Sequence, residues 1–344
     1  KKNLDPSFEL FSDILLHPTF PDEEIERVRN DRLTHLRQQK DTAAVIASKV
    51  FNGAVYGSGH PYGFMEIGTE DSNRDIDRKA IVQFYRSGYT PGNSALVVSG
   101  DIEASEIHSL AEKYLGSLKN VPSGSTPEAI TRKTSPRLIL VDRPESSQTV
   151  LRIGHTGLPH SHPDYVPVDV MNTILGGLFS SRMNRNLRER NGYTYGVSSS
   201  YLFRRGPGPF VIGTSVRADA TAAAIREIFN EIKMMQSERV TREELSIAKD
   251  SIARSLPGLF ETTYDTASSL GHLFVYDLPD TFYRDLPDRI QQVSREDVQK
   301  MAGEHLKPNE AVVVAVGDRK KIEKSLKEID FGTIELRDSG GEPI

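Results

Sequence analysis

Twice in this chain a short apolar run gives way to Gly-Asp and then to a helical pattern. Ser94–Ser99 reads Ser-Ala-Leu-Val-Val-Ser, turns at Gly100-Asp101 and enters a helix over Ala104–Leu115. The second copy opens at Glu310, runs apolar through Val312–Val316, turns at Gly317-Asp318 and continues as a helix to Glu328. Apolar runs this short suit strands buried on both faces. Recurrence of the same strand, turn and helix suggests a duplicated unit, with the opening part of the first copy lying before Lys1. The chain is therefore expected to mix strands with helices in two related parts.

Helical spacing marks Leu4–Leu16, a helix starting near Asp22 with Glu23 and Glu24 in its first turn, Ala43–Val55 with Asp41 as a cap, and Asp77–Arg86. Pro122–Pro136, rich in Ser, Thr, Gly and Pro, reads as a linker. Beyond it the pattern predicts strands at Arg137–Val141 and Thr149–Ile153, then helices over Tyr165–Leu175 and Ser181–Arg190. Asn191-Gly192 stops the latter helix. A strand pair follows, Thr194–Tyr201 and Phe210–Val216. Helices are predicted over Ala220–Glu238, with Asp219 as its cap, Thr241–Phe274 and Ser294–His305, and the tail from Arg337 reads as frayed. The domains drawn from this are 1–122, a linker at 123–136, a second part at 137–336 and a tail at 337–344.

Composition removes several classes of function. At 344 residues and a net charge of −5, nothing draws the chain to nucleic acid or to an anionic membrane. No run of about 18 apolar residues is present to span a bilayer. With no cysteine, a disulfide framework, a thiolate nucleophile and a Cys-ligated metal are all impossible. None of the nine histidines falls in H-x-x-E-H, H-x-x-E or H-x-x-x-H, so no helical turn presents a metal pair. His160-Ser-His162 is the nearest cluster and reads as loop. Gly57–Gly63 misses both phosphate-binding glycine patterns and also reads as a structural loop.

The unusual segment is Leu175–Ser200, a basic amphipathic helix running through a tight turn into a strand rich in Tyr and Ser. Arg188 lies seven residues before Tyr195, and both side chains can donate hydrogen bonds to carbonyl oxygens. A solvated arginine beside a half-buried tyrosine satisfies the same spacing, and spacing alone favours it.

The residues Val141–Gln148, Asn172–Gly177, Ser180–Asn184 and Leu187–Tyr195 resemble, in order and spacing, the C-terminal half of insulinase/pitrilysin zinc peptidases. That family includes the mitochondrial processing peptidases. His17-Pro-Thr-Phe20, the helix Glu23–Gln38 and His60-Pro-Tyr-Gly63 extend the likeness over nearly the whole chain, and the Leu-Arg-Glu…Gly…Tyr segment is its specific part. The resemblance implies an α+β fold of two α/β-roll repeats, with a mixed, mostly antiparallel sheet packed by helices. It also implies that Arg188 and Tyr195 are catalytic and substrate-binding residues, Arg188 holding a peptide carbonyl and Tyr195 donating to the oxyanion. The family's third zinc ligand would fall at His35, with Val28 replacing an acidic residue amid Arg27, Arg29, Arg32 and Arg37. No metal is therefore expected on this chain. Zinc is expected on a partner, either a separate insulinase-type subunit or an N-terminal half, with peptide or unfolded polypeptide as substrate. An inactive scaffold or peptide-binding protein of the same fold is the alternative, and an independent peptidase with its zinc motif before Lys1 is a third reading. The compartment stays open between periplasm, which exported bacterial members favour, and cytoplasm.

Overall fold

The computed structural model describes residues 2–119, 135–329, 331–338 and 340–344. In chain order the helices before the sheet are α1 (Leu4–Leu16), α2 (Asp22–Gln39), α3 (Ala43–Tyr56), α4 (Glu70–Asp75), α5 (Arg78–Gly88) and α6 (Ala104–Leu115). Then come β1 (Arg137–Asp142), β2 (Gln148–Thr156), α7 (Tyr165–Asn172), β3 (Thr194–Tyr201) and β4 (Pro209–Arg217). They are followed by α8 (Thr221–Ser237), α9 (Arg242–Ser255), α10 (Thr263–Tyr276), α11 (Phe282–Gln292), α12 (Arg295–His305), β5 (Val312–Gly317), α13 (Arg319–Leu326) and β6 (Ile334–Arg337). The fold is mixed α+β, as the resemblance implies. The described residues group into a helical unit (2–36, 67–119 and 256–278) and a sheet unit (37–66, 135–255, 279–329, 331–338 and 340–344). Most of the linker drawn at 123–136 lies outside the described residues. Among the described residues, no helix is long and apolar enough to cross a membrane.

In the helical unit, the arginines of α2 have structural work. The Arg29 guanidinium donates to the carbonyls of Asn73, Arg74 and Ile76, which are orphan acceptors at the C-terminal end of α4. Arg32 donates to Asn73 Oδ1 at 2.6 Å and to the Ile67 carbonyl at 2.8 Å. Phe8 of α1 packs on Tyr114 of α6, and the Tyr85 hydroxyl of α5 donates to the Leu15 carbonyl at 2.5 Å.

The sheet unit is built on six strands in the order β3-β4-β2-β5-β1-β6. β1 pairs in parallel with β5 and β6, whereas β2–β4, β2–β5 and β3–β4 are antiparallel. β5 is buried at every residue because it has strands on both sides and helices on both faces, which is why Val312–Gly317 has no polar alternation. One face receives α3, whose Ile46, Val50, Phe51 and Val55 pack on Ile139, Val141, Val312, Val314 and Val316. Full burial of each such side chain contributes about 1.5–3 kcal/mol. Gly154 of β2 is required here: a Cβ would lie 1.9 Å from the Phe210 carbonyl oxygen and 3.1 Å from Cζ of Phe51. The opposite face meets other helices through Tyr201, whose hydroxyl donates to the His305 carbonyl at 2.9 Å, and through Thr149, hydrogen-bonded to Thr221 at 2.8 Å.

Several expectations change. Ser94–Ser99 is not a strand, because its extended backbone has no ladder partner among the described residues. Thr42, not Asp41, stands at the N-cap of α3, and it makes no side-chain cap. Asp219 does not cap α8; its carboxylate pairs with Arg217. The helix expected over Thr241–Phe274 is two helices, broken at Leu256–Phe260 where Pro257-Gly258 stops the ladder. α11 was not anticipated. The tail is not frayed where expected: Ile334–Arg337 pairs with β1, Arg337 bridges to Pro343, and Ile344 N–H donates to the Leu336 carbonyl.

His155 of β2 is 2% exposed. Its Nε2 accepts from Lys307 N–H at 3.0 Å, which assigns the proton to Nδ1, 2.9 Å from the Thr156 carbonyl. Burial, with minor help from Lys307 and His305, lowers its pKa to about 4. A histidine depressed on folding stabilises fully above pH 6.5 and loses that stability as pH falls toward 4, with a slope of up to about 1.4 kcal/mol per pH unit. Burial raises Asp169 to about 6, which gives the opposite slope between pH 3.8 and 6. The difference in urea midpoint between the parent chain and His155→Gln should therefore shrink as pH falls from 6.5 to 4. A difference independent of pH would show that the imidazole is hydrated.

Candidate functional site

The segment from α7 to β3 winds wider than an α-helix. Thr173–Gly177 continues α7 as a π-helical turn, and Asn184–Arg190 is π-helical throughout. Such turns are rare and recur at functional sites. Gly192, at φ 62°, ends the second in the left-handed conformation, with Tyr193 N–H donating to the Leu187 carbonyl at 2.9 Å. This is the stop expected at Asn191-Gly192.

Buried amides tie these turns to β3. Asn184 Nδ2 donates to the Val197 carbonyl at 2.7 Å while its Oδ1 accepts from Val197 N–H at 3.1 Å. Asn172 Nδ2 donates to the Ser199 carbonyl at 3.1 Å, and its Oδ1 accepts from the Ser199 hydroxyl at 2.7 Å. Gly176 approaches so closely that a Cβ there would lie 2.7 Å from Ser199 N. β3 is the outermost strand, so these groups occupy the row of backbone donors and acceptors that a further strand would use. This closes the β3 edge at Val197 and Ser199 to the addition of a further peptide strand. At the other edge the tail meets β6. Asn184→Asp would set a carboxylate oxygen against the Val197 carbonyl. It is expected to destabilise by about 2 kcal/mol and to speed amide exchange at Val197; unchanged exchange there would show that Asn184 does not hold the strand.

Below this, Arg182 makes a two-pronged ion pair with Glu244 of α9, both contacts at 2.8 Å, and Arg185 adds a third at 2.6 Å. Burial raises the Glu244 pKa, but the hydrogen bonds from Arg182, Thr241 N–H and Arg185 outweigh it and hold the carboxyl at about 2.

Arg188 sits near the end of the π-helical segment. Its guanidinium carbon lies 3.5 Å from the ring centroid of Phe179, a cation–π contact. Nη2 donates to Glu189 at 2.8 Å, whereas Nη1 is buried with no acceptor. A charged donor left so is costly and calls for a reason. Tyr195, second residue of β3, is 90% exposed, and its hydroxyl makes no hydrogen bond among the described residues. The strand bulges between Thr194 and Val197, with the Thr194 hydroxyl accepting from Gly196 N–H at 3.1 Å. The structure thus reverses what spacing alone favoured: the arginine is stacked and partly buried, and the tyrosine is exposed. Among the described residues no hydrogen bond joins the two; Tyr195 is open to solvent, whereas the Arg188 donor without an acceptor is covered.

A groove lies on the α3 side of the sheet, bordered by Ala44 at the start of α3. One hollow of about 330 Å³ is lined by Arg152, Ser198, Ser200, Gly213 and Ser215 among others. A second, about 290 Å³, is lined by Gly176–Phe179, Asn184, Gly196–Ser198 and Gly213. They share Ser198 and Gly213, so they adjoin. Phe179, Asn184 and Arg152 were not singled out from sequence; an arginine inside the apolar run Thr149–Ile153 was the one signal.

For metal, only Asp164, Glu304 and His305 bring three ligand-type atoms together among the described residues, within 4.8 Å. His305 Nε2 is already bonded to Asp164 at 2.8 Å. This is one imidazole with two carboxylates, not the two histidines and carboxylate of a peptidase zinc centre. His35 is exposed and outside it. His160 stacks on Tyr165, and Gly57–Gly63 is structural: the His60 ring accepts from Tyr62 N–H, and Tyr62 accepts from Gly206 N–H.

Residues 75–252 match the family described as peptidase M16 inactive domain. The chain is 26% identical over 268 residues to the uncharacterized zinc protease YmxG of Bacillus subtilis, covering 77% of this chain and 64% of that protein. It thus spans less than two thirds of that relative. It is 24% identical over 337 residues to a probable mitochondrial-processing peptidase subunit beta of Schizosaccharomyces pombe, 92% of this chain and 71% of that protein. The crystal structure of a peptidase M16 inactive domain from Pseudomonas fluorescens is similar with a TM-score of 0.84 at 28% identity, covering 91% of this chain and 75% of that one.

Proposed function

Since the chain belongs to the peptidase M16 family, matching its inactive domain, we propose that it is the substrate-holding half of a composite peptidase. Zinc is carried by a partner subunit or by an N-terminal half. The observation that carries this reading is Arg188 Nη1, buried against Phe179 and without an acceptor. A peptide carbonyl is the neutral acceptor such a donor lacks, reached when the exposed Phe179 ring gives way, and no strand addition at Val197 or Ser199 is needed to present it. Tyr195, exposed and unpartnered, donates its phenolic O–H to the oxygen on which charge develops when the peptide bond is attacked. Arg188 binds and orients the peptide and Tyr195 polarises it as charge develops; neither moves a proton. The chemistry that zinc supplies from the partner is Lewis acidity and an activated water.

The test is cleavage of a quenched peptide by the zinc-bearing partner or half, with and without this chain. Cleavage that requires the chain supports the proposal. Equal cleavage without it, or none with it, transfers the chain to the scaffold reading.

A further inference from the structure

Arg152 is an arginine where the sheet calls for an apolar residue. On β2 it stands in register with Val314 of β5 on one side and Gly213 of β4 on the other. Its guanidinium lies across the bare backbone of Gly213, with Nη1 3.3 Å from where a Cβ would be. Nε donates to the Ser48 hydroxyl at 3.3 Å and Nη1 to the Leu151 carbonyl at 3.0 Å. Among the described residues Nη2 makes no hydrogen bond. Among the described residues no carboxylate pairs with it, unlike Arg137, Arg182 and Arg319, which each hold a glutamate. Burial lowers its pKa, the direction expected of a cation short of counter-charge. The hollow before it is lined by Ser198, Ser200 and Gly213 together with the apolar Val150, Leu202 and Val211, and the half-buried Arg152 is part of that lining.

We propose that Arg152 is an anion subsite of this groove, which continues to the Phe179 ring stacked on Arg188, and receives a carboxylate of the bound peptide, which selects for acidic substrates. This rests on the peptide-holding reading above and adds its substrate class. A guanidinium presents paired N–H donors that match a carboxylate, and the site is built around one cation, enough for one carboxylate. The carboxylate comes from an Asp or Glu side chain or from a peptide C-terminus, and the test separates the two.

Three labelled ten-residue peptides are titrated against the full chain by fluorescence anisotropy. One has an internal Glu and an amidated C-terminus, the second replaces that Glu by Gln, and the third is the Gln peptide with a free C-terminus. The Glu peptide, or the free-terminus peptide if the C-terminus is the source, should bind at least tenfold tighter than the neutral one. Arg152→Gln should abolish that preference while leaving the neutral peptide within twofold. Arg152→Met, which keeps the packing of the side-chain stem, repeats the measurement should Arg152→Gln fold poorly. Equal binding of all three peptides, or a preference that survives both substitutions, overturns the proposal and leaves peptide holding intact. Binding of none overturns both.

Discussion

Tyr195→Phe is expected to lower kcat of the reconstituted peptidase by about a hundredfold or more, with KM little changed. The phenol is 90% exposed and its hydroxyl makes no hydrogen bond among the described residues, so removing one oxygen should leave stability within about 0.5 kcal/mol. In the proposed role its effect is confined to the transition state, where one donor to a developing oxyanion is worth about 2.7–4 kcal/mol. A donor that acts only there moves kcat and not ground-state binding. Arg188→Lys provides the contrast. An ammonium keeps the charge but loses the planar stack on Phe179 and the buried Nη1 donor, so KM should rise as kcat falls. A Phe variant that cleaves as fast as the parent would remove Tyr195 from the chemistry.

The largest expected loss of stability comes from Glu244→Ala, at about 3 kcal/mol. Arg182 is 10% exposed, and its Nη1 is already buried without a partner. Removing the carboxylate leaves the rest of the guanidinium unpaired as well, a situation that costs about 3–5 kcal/mol in buried pairs. It also removes the acceptor for Thr241 N–H at the start of α9. The pH dependence follows from the low carboxyl pKa. A carboxylate held at about 2 stabilises fully above its ordinary 4.5, and that contribution is lost as pH falls from 4.5 through 2. Denaturant midpoints at pH 7 and pH 3 check both: the gap between parent and Glu244→Ala should narrow at the lower pH. A shift under 0.5 kcal/mol at pH 7 would mean that Arg182 relaxes to water.

Much of the sheet unit was legible because its signals are local. The apolar run Val312–Val316, the alternation in Thr194–Tyr201 and Phe210–Val216, and the stop at Asn191-Gly192 each report burial or backbone preference within a few residues. The break at Pro257-Gly258 was written in the same local terms, but the helical pattern running through it outweighed it. β6 was missed because Ile334–Arg337 is four residues of mixed polarity, made a strand by β1.

The sequence by itself determined the family, the sites of most helices and strands, and the pairing in one segment of Arg188 with Tyr195. Only the tertiary structure decided what those residues meet. Ser94–Ser99 and Val312–Val316 look alike as sequence, yet a strand exists only where a second backbone supplies its hydrogen bonds, and among the described residues Ser94–Ser99 has none. The closed edge of β3 comes from Asn172 and Asn184, reaching back from turns whose π-helical width no periodicity shows. Arg188 became an orphan donor because Phe179 folds over it, and Arg152 fits into the sheet because β4 offers Gly213 opposite. Spacing encodes which residues share a face, but burial without a partner depends on segments distant in the chain.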